Sequence, residues 1–590
     1  MRLKFVIWFV VAISVLLLLR VYFLSVQSHD YYEELSKENY IKKFYNVSVR
    51  GSIKDRNGKY LAVNKVGFAI TIKPHLRSKK SFKTVEDVAK LAVKYFPHLK
   101  YEKLLKKYKR LDSPYRHKWI KLVDYISYDE FFKFYTIFNT NDNIRIESAI
   151  KREYLYKDVA AHILGYVGRS SKKDHQKDPL SKHFEQSGKT GLEKYYDKIL
   201  RGTVGYKEYQ VNSLYERLKV LDEVKPKKQD ITLTIDIELQ KYIHKLFDKK
   251  AGAVVVMDVN NGELLAAGSF PEFDNNLFVN GISHKDWNSI QEDFNHPFTN
   301  KLINGLYPPG SVMKMGVSLA FLENGIKPNY SVYCTGELQL GNRKFRCWNE
   351  KGHKHTRFVK AIRESCDDFF YKGSLEVGIN NIHKTLDRFA IGKKSGIDLP
   401  NESKGINPDK KWKRATRKLP WYVGETVVAS IGQGFISVTP MQIARYTGAM
   451  AINKLQRPHL LKDDKLVESE DTNITKRDLK IVQKGMYHVA NKPGGTAVYH
   501  IKSKVTIAAK TGTAQVVGIP QSEKTRMKEH ELEYFKRSQA WLTTYAPYKD
   551  PKYVVTILVE HGGHGGSAAG PMAGKIYDKL LELGYINDKK

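Results

Sequence analysis

Ser311 and Lys314 are the residues of this 590-residue chain whose types and spacing best suit covalent chemistry. Three positions apart on a helix, a hydroxyl and an amine share one face, a turn apart. Pro308-Pro309-Gly310 stops whatever precedes them. No proline interrupts 311–323, and Asn324-Gly325 closes that run as a helix C-cap would. Val312, Met313, Val317, Leu319, Phe321 and Leu322 make the helix apolar nearly all round, which predicts burial inside a domain. A buried lysine loses hydration, and desolvation lowers the pKa of an amine. A neutral amine beside a serine can take the hydroxyl proton, which is the logic of an activated nucleophile. Alone, Ser-x-x-Lys occurs by chance in many helices. Here Ser365-Cys366-Asp367 and then Lys510-Thr511-Gly512-Thr513 follow, the last after the strand-like run 505–509. They add a second hydroxyl, a carboxylate and a second amine, so the three groups in this order make a specific signal for serine acylation.

The elements that must hold these groups read as α+β. Ile231-Thr232-Leu233-Thr234-Ile235 is a strand, and Asp236 can cap a helix starting at Ile237. Runs 253–258 and 263–269 flank Asn261-Gly262, a hairpin signal. Strands over 505–509, 540–545 and 553–559 complete an antiparallel sheet against which the Ser311 helix packs. Upstream, 50–62 reads as strand, Asn57-Gly58 turn, strand. Residues 76–140 are lysine-rich with helical periodicity over 85–95 and 101–108. A second Lys-Thr-Gly, Lys189-Thr190-Gly191, follows polar residues and reads as a loop entering a helix. The charged run 223–230 is the domain boundary. Residues 520–537 form a charged insertion read as a solvated loop, with a lip over the substrate cleft as the alternative, and Gly562-Gly563-His564-Gly565-Gly566 is a strand exit.

Residues 5–26 are apolar enough to cross a bilayer core needing about 20 residues. Arg2 and Lys4 precede the run, so positive-inside bias keeps 1–4 in the cytoplasm and exports the rest. A cleaved signal peptide is the competing reading, but Ser25-Val26-Gln27-Ser28 is a poor cleavage site. The net charge of +36 admits nucleic acid, an anionic membrane or an anionic polymer as partner, as does a generally lysine-rich proteome. No zinc-finger spacing, RNP-type motif or basic tail supports nucleic acid. The three cysteines are too few for a disulfide scaffold. Cys334, Cys347, His353 and Cys366 could form a Cys3His zinc site, with His355 in reserve; a disulfide plus one thiol, or three buried thiols, are the alternatives.

Together these motifs carry a resemblance. The chain resembles the class B (monofunctional) penicillin-binding proteins, and among them the elongation type, penicillin-binding protein 2. Arg50-Gly51-Ser52-Ile53 with Asp55-Arg56-Asn57-Gly58, then 162–168 and 191–196, are similar to the family's N-terminal pedestal; 76–140 matches loosely. Thr234-Ile235-Asp236, Gly305 to Ser311, Gly396-Ile397-Asp398-Leu399-Pro400, Ser430-Ile431-Gly432-Gln433-Gly434 and Thr439-Pro440 match its transpeptidase domain. Asp367 departs from the asparagine of most relatives, a variant typical of the elongation type.

The resemblance implies a transmembrane anchor (5–26), a pedestal or dimerisation-type domain (27–230, helical head about 76–140) and a transpeptidase domain (231–590) with helices on both sides of an antiparallel sheet. It implies D,D-transpeptidation of peptidoglycan stem peptides during elongation and rod-shape maintenance, at the bacterial inner membrane, with the catalytic domain periplasmic. Ser311 would be the nucleophile and Lys314 its base. Ser365 would relay protons between Lys314 and Lys510, with Asp367 beside them either protonated or paired with a lysine. Lys510 with Thr511 or Thr513, Thr513 being the better candidate, would bind the terminal carboxylate, and Gly512 would leave room for substrate. No cofactor is required for the chemistry. A structural zinc, β-lactam acylation, a multi-pass glycosyltransferase and a coiled-coil elongation scaffold are implied likewise. A D,D-carboxypeptidase or β-lactamase-like hydrolase, and a non-catalytic scaffold or sensor, are the other functions these motifs admit.

Overall fold

The computed structural model describes residues 2–115, 118–212, 216–279, 281–518 and 528–587. Its contacts divide the chain into two compact units. The first takes Met1–Gly51, Ser170–Glu185 and Lys198–Asp230. In it a helix, Arg2–Tyr22, runs through a π-helical stretch, Phe23–Gln27, and is followed by the helix His29–Tyr40. Residues 2–27 bury none of their side chains, and their most apolar 18-residue stretch has a mean hydropathy of 2.5, so the segment is long and apolar enough to cross a membrane. Beyond them Ile41–Asn46 pairs antiparallel with Gly205–Val211, which pairs with Arg217–Val224.

The second unit takes Ser52–Arg169, Gln186–Asp197 and Ile231–Lys590. The expected hairpin forms, with Ile53–Lys54 paired to Tyr60–Ile72 around Asn57-Gly58. Its second arm continues to pair with Ile120–Ser127 and Ile144–Tyr154. Helices Lys79–Tyr95 and Tyr101–Leu111 occur where the lysine-rich periodicity predicts them. Their apolar stripes (Val85, Val88, Ala92, Leu104, Tyr108) join the buried faces of Ile70 and Ile120 in one core. The strand Ile120–Ser127 inside that region is additional: its buried Ile120, Leu122, Val123 and Ile126 pattern is masked by lysine-rich flanks. Lys189-Thr190-Gly191 does enter a helix, Gly191–Tyr195, as expected.

After residue 230 the chain pairs Ile231–Thr232 with Ile53–Lys54. Asp236 then caps the helix Ile237–Phe247, its Oδ1 accepting from Glu238 N and Leu239 N. The central antiparallel sheet runs Leu264–Phe270, Gly252–Asp258, Tyr553–Val559, Gln539–Ala546, Ala508–Ala514. Apart from Asp258 and Thr513, every residue in these five strands is buried, so helices must cover both faces. Neighbours Thr543 and Thr544 point to opposite faces. Thr543 Oγ1 meets Thr447 of the helix Pro440–Ile452 at 2.7 Å, and Thr544 Oγ1 meets Tyr577 of the helix Gly565–Glu582 at 3.0 Å. One helix therefore lies on each side. The glycine run after Tyr553–Val559 is thus more than a strand exit: His564 is the N-cap of that last helix.

Candidate active site

The Ser311 segment is held by contacts that only glycine permits. Gly310 has φ +57°, and an added Cβ would approach Thr513 O at 3.1 Å. Gly432 has φ +73°, and its Cβ would meet Gly310 O at 2.2 Å. Gly310 N donates to Gly432 O at 2.9 Å, so Ser430-Ile431-Gly432 serves to buttress the serine turn. Where the spacing predicts one helix over 311–323, the structure has a 3-10 turn, Gly310–Met313, leading into the α-helix Lys314–Glu323. A 3-10 turn eclipses residues i and i+3, which stacks Ser311 on Lys314 more closely than α-geometry would. The helix is buried from Lys314 through Leu322, as its apolar composition predicts.

Lys314 and Lys510 both reach one hydroxyl. Lys314 Nζ lies 3.3 Å from Ser365 Oγ and donates to Ser365 O at 2.9 Å, and Lys510 Nζ lies 3.0 Å from the same Oγ. Ser365 itself holds φ +52°, a left-handed backbone unusual for a side-chain-bearing residue. Lys314 Nζ also lies 2.6 Å from Asp367 Oδ1. Of the two sequence alternatives for Asp367, this is the pairing with a lysine. Burial pushes the Asp367 carboxyl up while Lys314 pulls it down. The pair is neutral overall whether its proton sits on nitrogen or oxygen. Lys510, fully buried, is driven far toward the neutral amine by desolvation and then by the charge of Lys314.

The Lys-Thr-Gly strand begins later than expected. It spans Ala508–Ala514, pairing among the described residues on one side only, with Gln539–Ala546, whereas 505–507 lie before it. The polar run Lys510–Thr513 hides the strand from a hydrophobicity pattern. Thr511 Oγ1 lies 2.6 Å from Thr496 Oγ1. Gly512 is required by the packing of the serine turn: its added Cβ would meet Pro309 O and Trp541 Cβ at 3.0 Å and Val312 Cγ1 at 3.1 Å. It lets the serine turn pack on the strand; Thr511 and Thr513 face the cleft instead.

That cleft, about 1220 Å³, has Ser311, Ser365, Asp367, Thr511 and Thr513 in its wall. Lys528, Glu529 and Arg537 also line it. The described part of the 520–537 insertion is therefore a solvated segment that also forms a rim of the cleft, the lip of its alternative reading. Glu529 accepts from Ser538 N and Oγ, and Tyr534 and Phe535 pack on His561 at 4.9 and 5.4 Å. Residues 519–527 lie outside the described residues.

Cys334, Cys347, His353 and Cys366 offer donor atoms all within 4.8 Å of one another, and all four residues are buried. All three cysteines are free thiols, so the disulfide alternative is not realised. His353 Nδ1 faces Cys347 Sγ at 3.5 Å and Cys334 Sγ at 3.7 Å. Hydrogen bonds from Cys347 and Cys366 hold the Cys334 thiol well below its usual range. His355, the reserve ligand, is exposed and packs on Tyr333, away from the cluster. Cys366 is the N-cap of the helix Asp367–Val377, and Asp367 N donates to Cys347 Sγ at 3.4 Å. Trp348, next in sequence to Cys347, was not singled out by the sequence. Its N–H donates to Asp367 Oδ2 at 2.9 Å and its indole to Glu364 O and Ser365 O at 3.0 and 3.1 Å. Thr496 carries no local signal at all.

With this geometry in hand, the family is decided by likeness along the chain. The penicillin binding protein transpeptidase domain matches residues 252–581, and the penicillin-binding protein dimerisation domain matches 45–233. The chain belongs to the penicillin-binding protein transpeptidase family. The peptidoglycan D,D-transpeptidase MrdA of Haemophilus influenzae is 33% identical over 588 residues, covering 95% of this chain and 88% of the relative. The penicillin-binding protein PBP2 solved in complex with MreC from Helicobacter pylori is 41% identical at a TM-score of 0.85, covering 93% of this chain and 100% of that one. A chain from a peptidoglycan synthase complex that coordinates polymerisation and crosslinking matches at 25% identity and a TM-score of 0.70, covering 100% of this chain and 99% of that one. The fold class expected from the sequence, an α+β transpeptidase fold behind a pedestal, is the one observed.

Proposed function

We propose that this chain is a peptidoglycan D,D-transpeptidase of cell-wall elongation that works through a serine acyl-enzyme. The observation that carries this reading is the meeting of Lys314 and Lys510 on Ser365 Oγ, in the wall of a cleft that also holds Ser311. Ser311 Oγ attacks the carbonyl of the penultimate D-alanine of a stem peptide. Its proton passes to Lys314 once the Lys314–Asp367 pair carries its own proton on oxygen. Ser365, between the two amines, passes its proton to the departing D-alanine and takes back from Lys314 the one that came from Ser311, in the manner of a relayed general acid. An amine of a neighbouring stem peptide then takes the acyl group from Ser311, forming the cross-link. Thr513 and Lys510 bind the terminal carboxylate, while Thr511 is occupied with Thr496. Backbone N–H groups of Ser311 and Thr513 form the oxyanion hole, a contribution worth ~3 kcal/mol per donor. The open edge of Ala508–Ala514 offers an extended peptide a strand to lie along.

The Cys334, Cys347, His353 and Cys366 donors suit a tetrahedral structural zinc. A bound zinc would supply cross-linking, not reaction chemistry; Cys366 and Cys347 would thereby hold Ser365 and Asp367 in place. Residues 5–26 anchor the protein in the inner membrane with 1–4 inside, the pedestal 27–230 and catalytic domain 231–590 lying in the periplasm. A multi-pass glycosyltransferase supplies the glycan and an elongation scaffold of the MreC kind binds the pedestal, by analogy with the relatives' complexes. The deciding experiment is mass spectrometry after benzylpenicillin. A Ser311 peptide gains the mass of the opened drug in the native chain and none in Ser311→Ala; an unmodified native chain would end the enzymatic reading.

A further inference from the structure

Just upstream of Ser311, Tyr307 is nearly buried and fixed at both ends. Its backbone forms a two-way bridge with Val438, N to O at 3.0 Å and O from Val438 N at 2.9 Å. Its phenol donates to Glu560 Oε1 at 2.6 Å. Gly305 allows the ring to lie flat on the backbone, since an added Cβ there would come within 2.5 Å of it. Trp541 Nε1 donates to Pro308 O at 3.0 Å, and Pro309 O lies against Gly512. The serine turn is thus hung from Tyr307 on one side and clamped by Gly432 on the other.

Glu560 sits at the exit of Tyr553–Val559, its own N–H donating to Ala251 O at 2.9 Å. Its second oxygen faces Lys301 Nζ at 3.9 Å, and the Lys301 side chain is 2% exposed. Lys301 Nζ donates to Asn295 O at 2.6 Å and to His296 O at 3.3 Å. The amide of Asn295 accepts from Tyr534 Oη of the cleft rim at 3.3 Å. Tyr534 in turn packs on His561, the residue after Glu560. A carboxylate outside all three sequence motifs is therefore a shared anchor for the nucleophile turn and the cleft rim.

We propose that Glu560 is a positioning residue for the Ser311 nucleophile, holding the serine turn through Tyr307 while Lys301 fixes the carboxylate from its other oxygen. It touches no substrate; it sets where Ser311 Oγ stands, and displacement of a reacting atom by a fraction of an ångström is costly in rate. The proposal rests on the acyl-enzyme reading above. The test is stopped-flow acylation of the detergent-solubilised full chain with a fluorescent penicillin, separating the encounter dissociation constant from the acylation rate constant. Glu560→Ala and Tyr307→Phe each lower the rate constant about tenfold or more, with the dissociation constant unchanged within about twofold. The double variant is no slower than the slower single, because both remove one link. Glu560→Gln, whose amide oxygen still accepts from the phenol, stays within about threefold of the native rate. Native acylation in Glu560→Ala, multiplying losses in the double variant, or a Glu560→Gln no better than Glu560→Ala overturns the proposal. A native chain that never acylates would instead overturn the functional reading beneath it.

Discussion

Ser365 keeps its left-handed backbone at a cost of about 1–3 kcal/mol, and the return is a hydroxyl facing two amines at once. The two amines differ in environment. Lys314 has a carboxylate at 2.6 Å, whereas Lys510 has desolvation, a backbone carbonyl and the neighbouring charge of Lys314. With its pKa driven well down by burial and by the charge of Lys314, Lys510 is held toward the neutral amine, which can take up and return a proton at Ser365. As pH falls through that lowered value it gains a proton and becomes a donor only, so the relay closes. Acylation by penicillin is therefore expected to fall on the acid side. Lys510→Arg, which cannot deprotonate, is expected to be slow at every pH by about 10²–10⁴-fold, the range of a lost acid–base group. A pH–rate profile of both proteins checks this, and an unchanged acid limb in the variant would remove Lys510 from the relay.

At the scale of elements, what was legible in the sequence was what is decided locally. Asn261-Gly262 gives a two-strand turn and Asp236 a helix cap because a turn and a cap are settled within four residues. Ser311, Lys314, Ser365 and Lys510 could be named because their types and order are distinctive. Gly310, Gly432 and Gly512 could not be assigned their contacts, since what forbids a Cβ there is a carbonyl or side chain far away in the chain. The true bounds of the strand Ala508–Ala514 and the whole of the masked strand Ile120–Ser127 escaped for the same reason: tertiary partners, not pattern, define them. The cysteine group is the most non-local of all, joining the strand Val332–Cys334, the Cys347 and His353 loop and the N-cap of Asp367–Val377. Purified protein is expected to hold one zinc per chain by elemental analysis. Cys334→Ser, remote from the second motif in sequence, is expected to lose that zinc and lower the melting temperature. Full zinc occupancy in Cys334→Ser would show that the group is three thiols and an imidazole without a metal role.

For the molecule as a whole, the apolar segment and the net charge make separable contributions to where it resides. Residues 2–27 form a 26-residue span with no buried side chain. At ~1.5 Å per residue a span of that length exceeds a hydrocarbon core of ~30 Å. Its charged residues, Arg2, Lys4 and Arg20, lie toward its ends, where long stems reach the headgroups. Most of the +36 charge lies beyond this span, and a basic surface binds anionic lipid with an affinity that salt screens. A chain lacking residues 2–27 is therefore expected to stay partly with membranes at low ionic strength and to be released in high salt, whereas the full chain resists salt and needs detergent. The active-site groups lie within the second compact unit, which begins at Ser52, so the released chain is expected to acylate Ser311 at a rate within about twofold of the native one, truncation being argued from burial and hydrogen bonding of the backbone removed. Fractionation across a salt series, followed by penicillin labelling of each fraction, checks both halves. A truncated chain that still needs detergent would move the anchor elsewhere, and one that is soluble but no longer labelled would make the segment part of the catalytic fold.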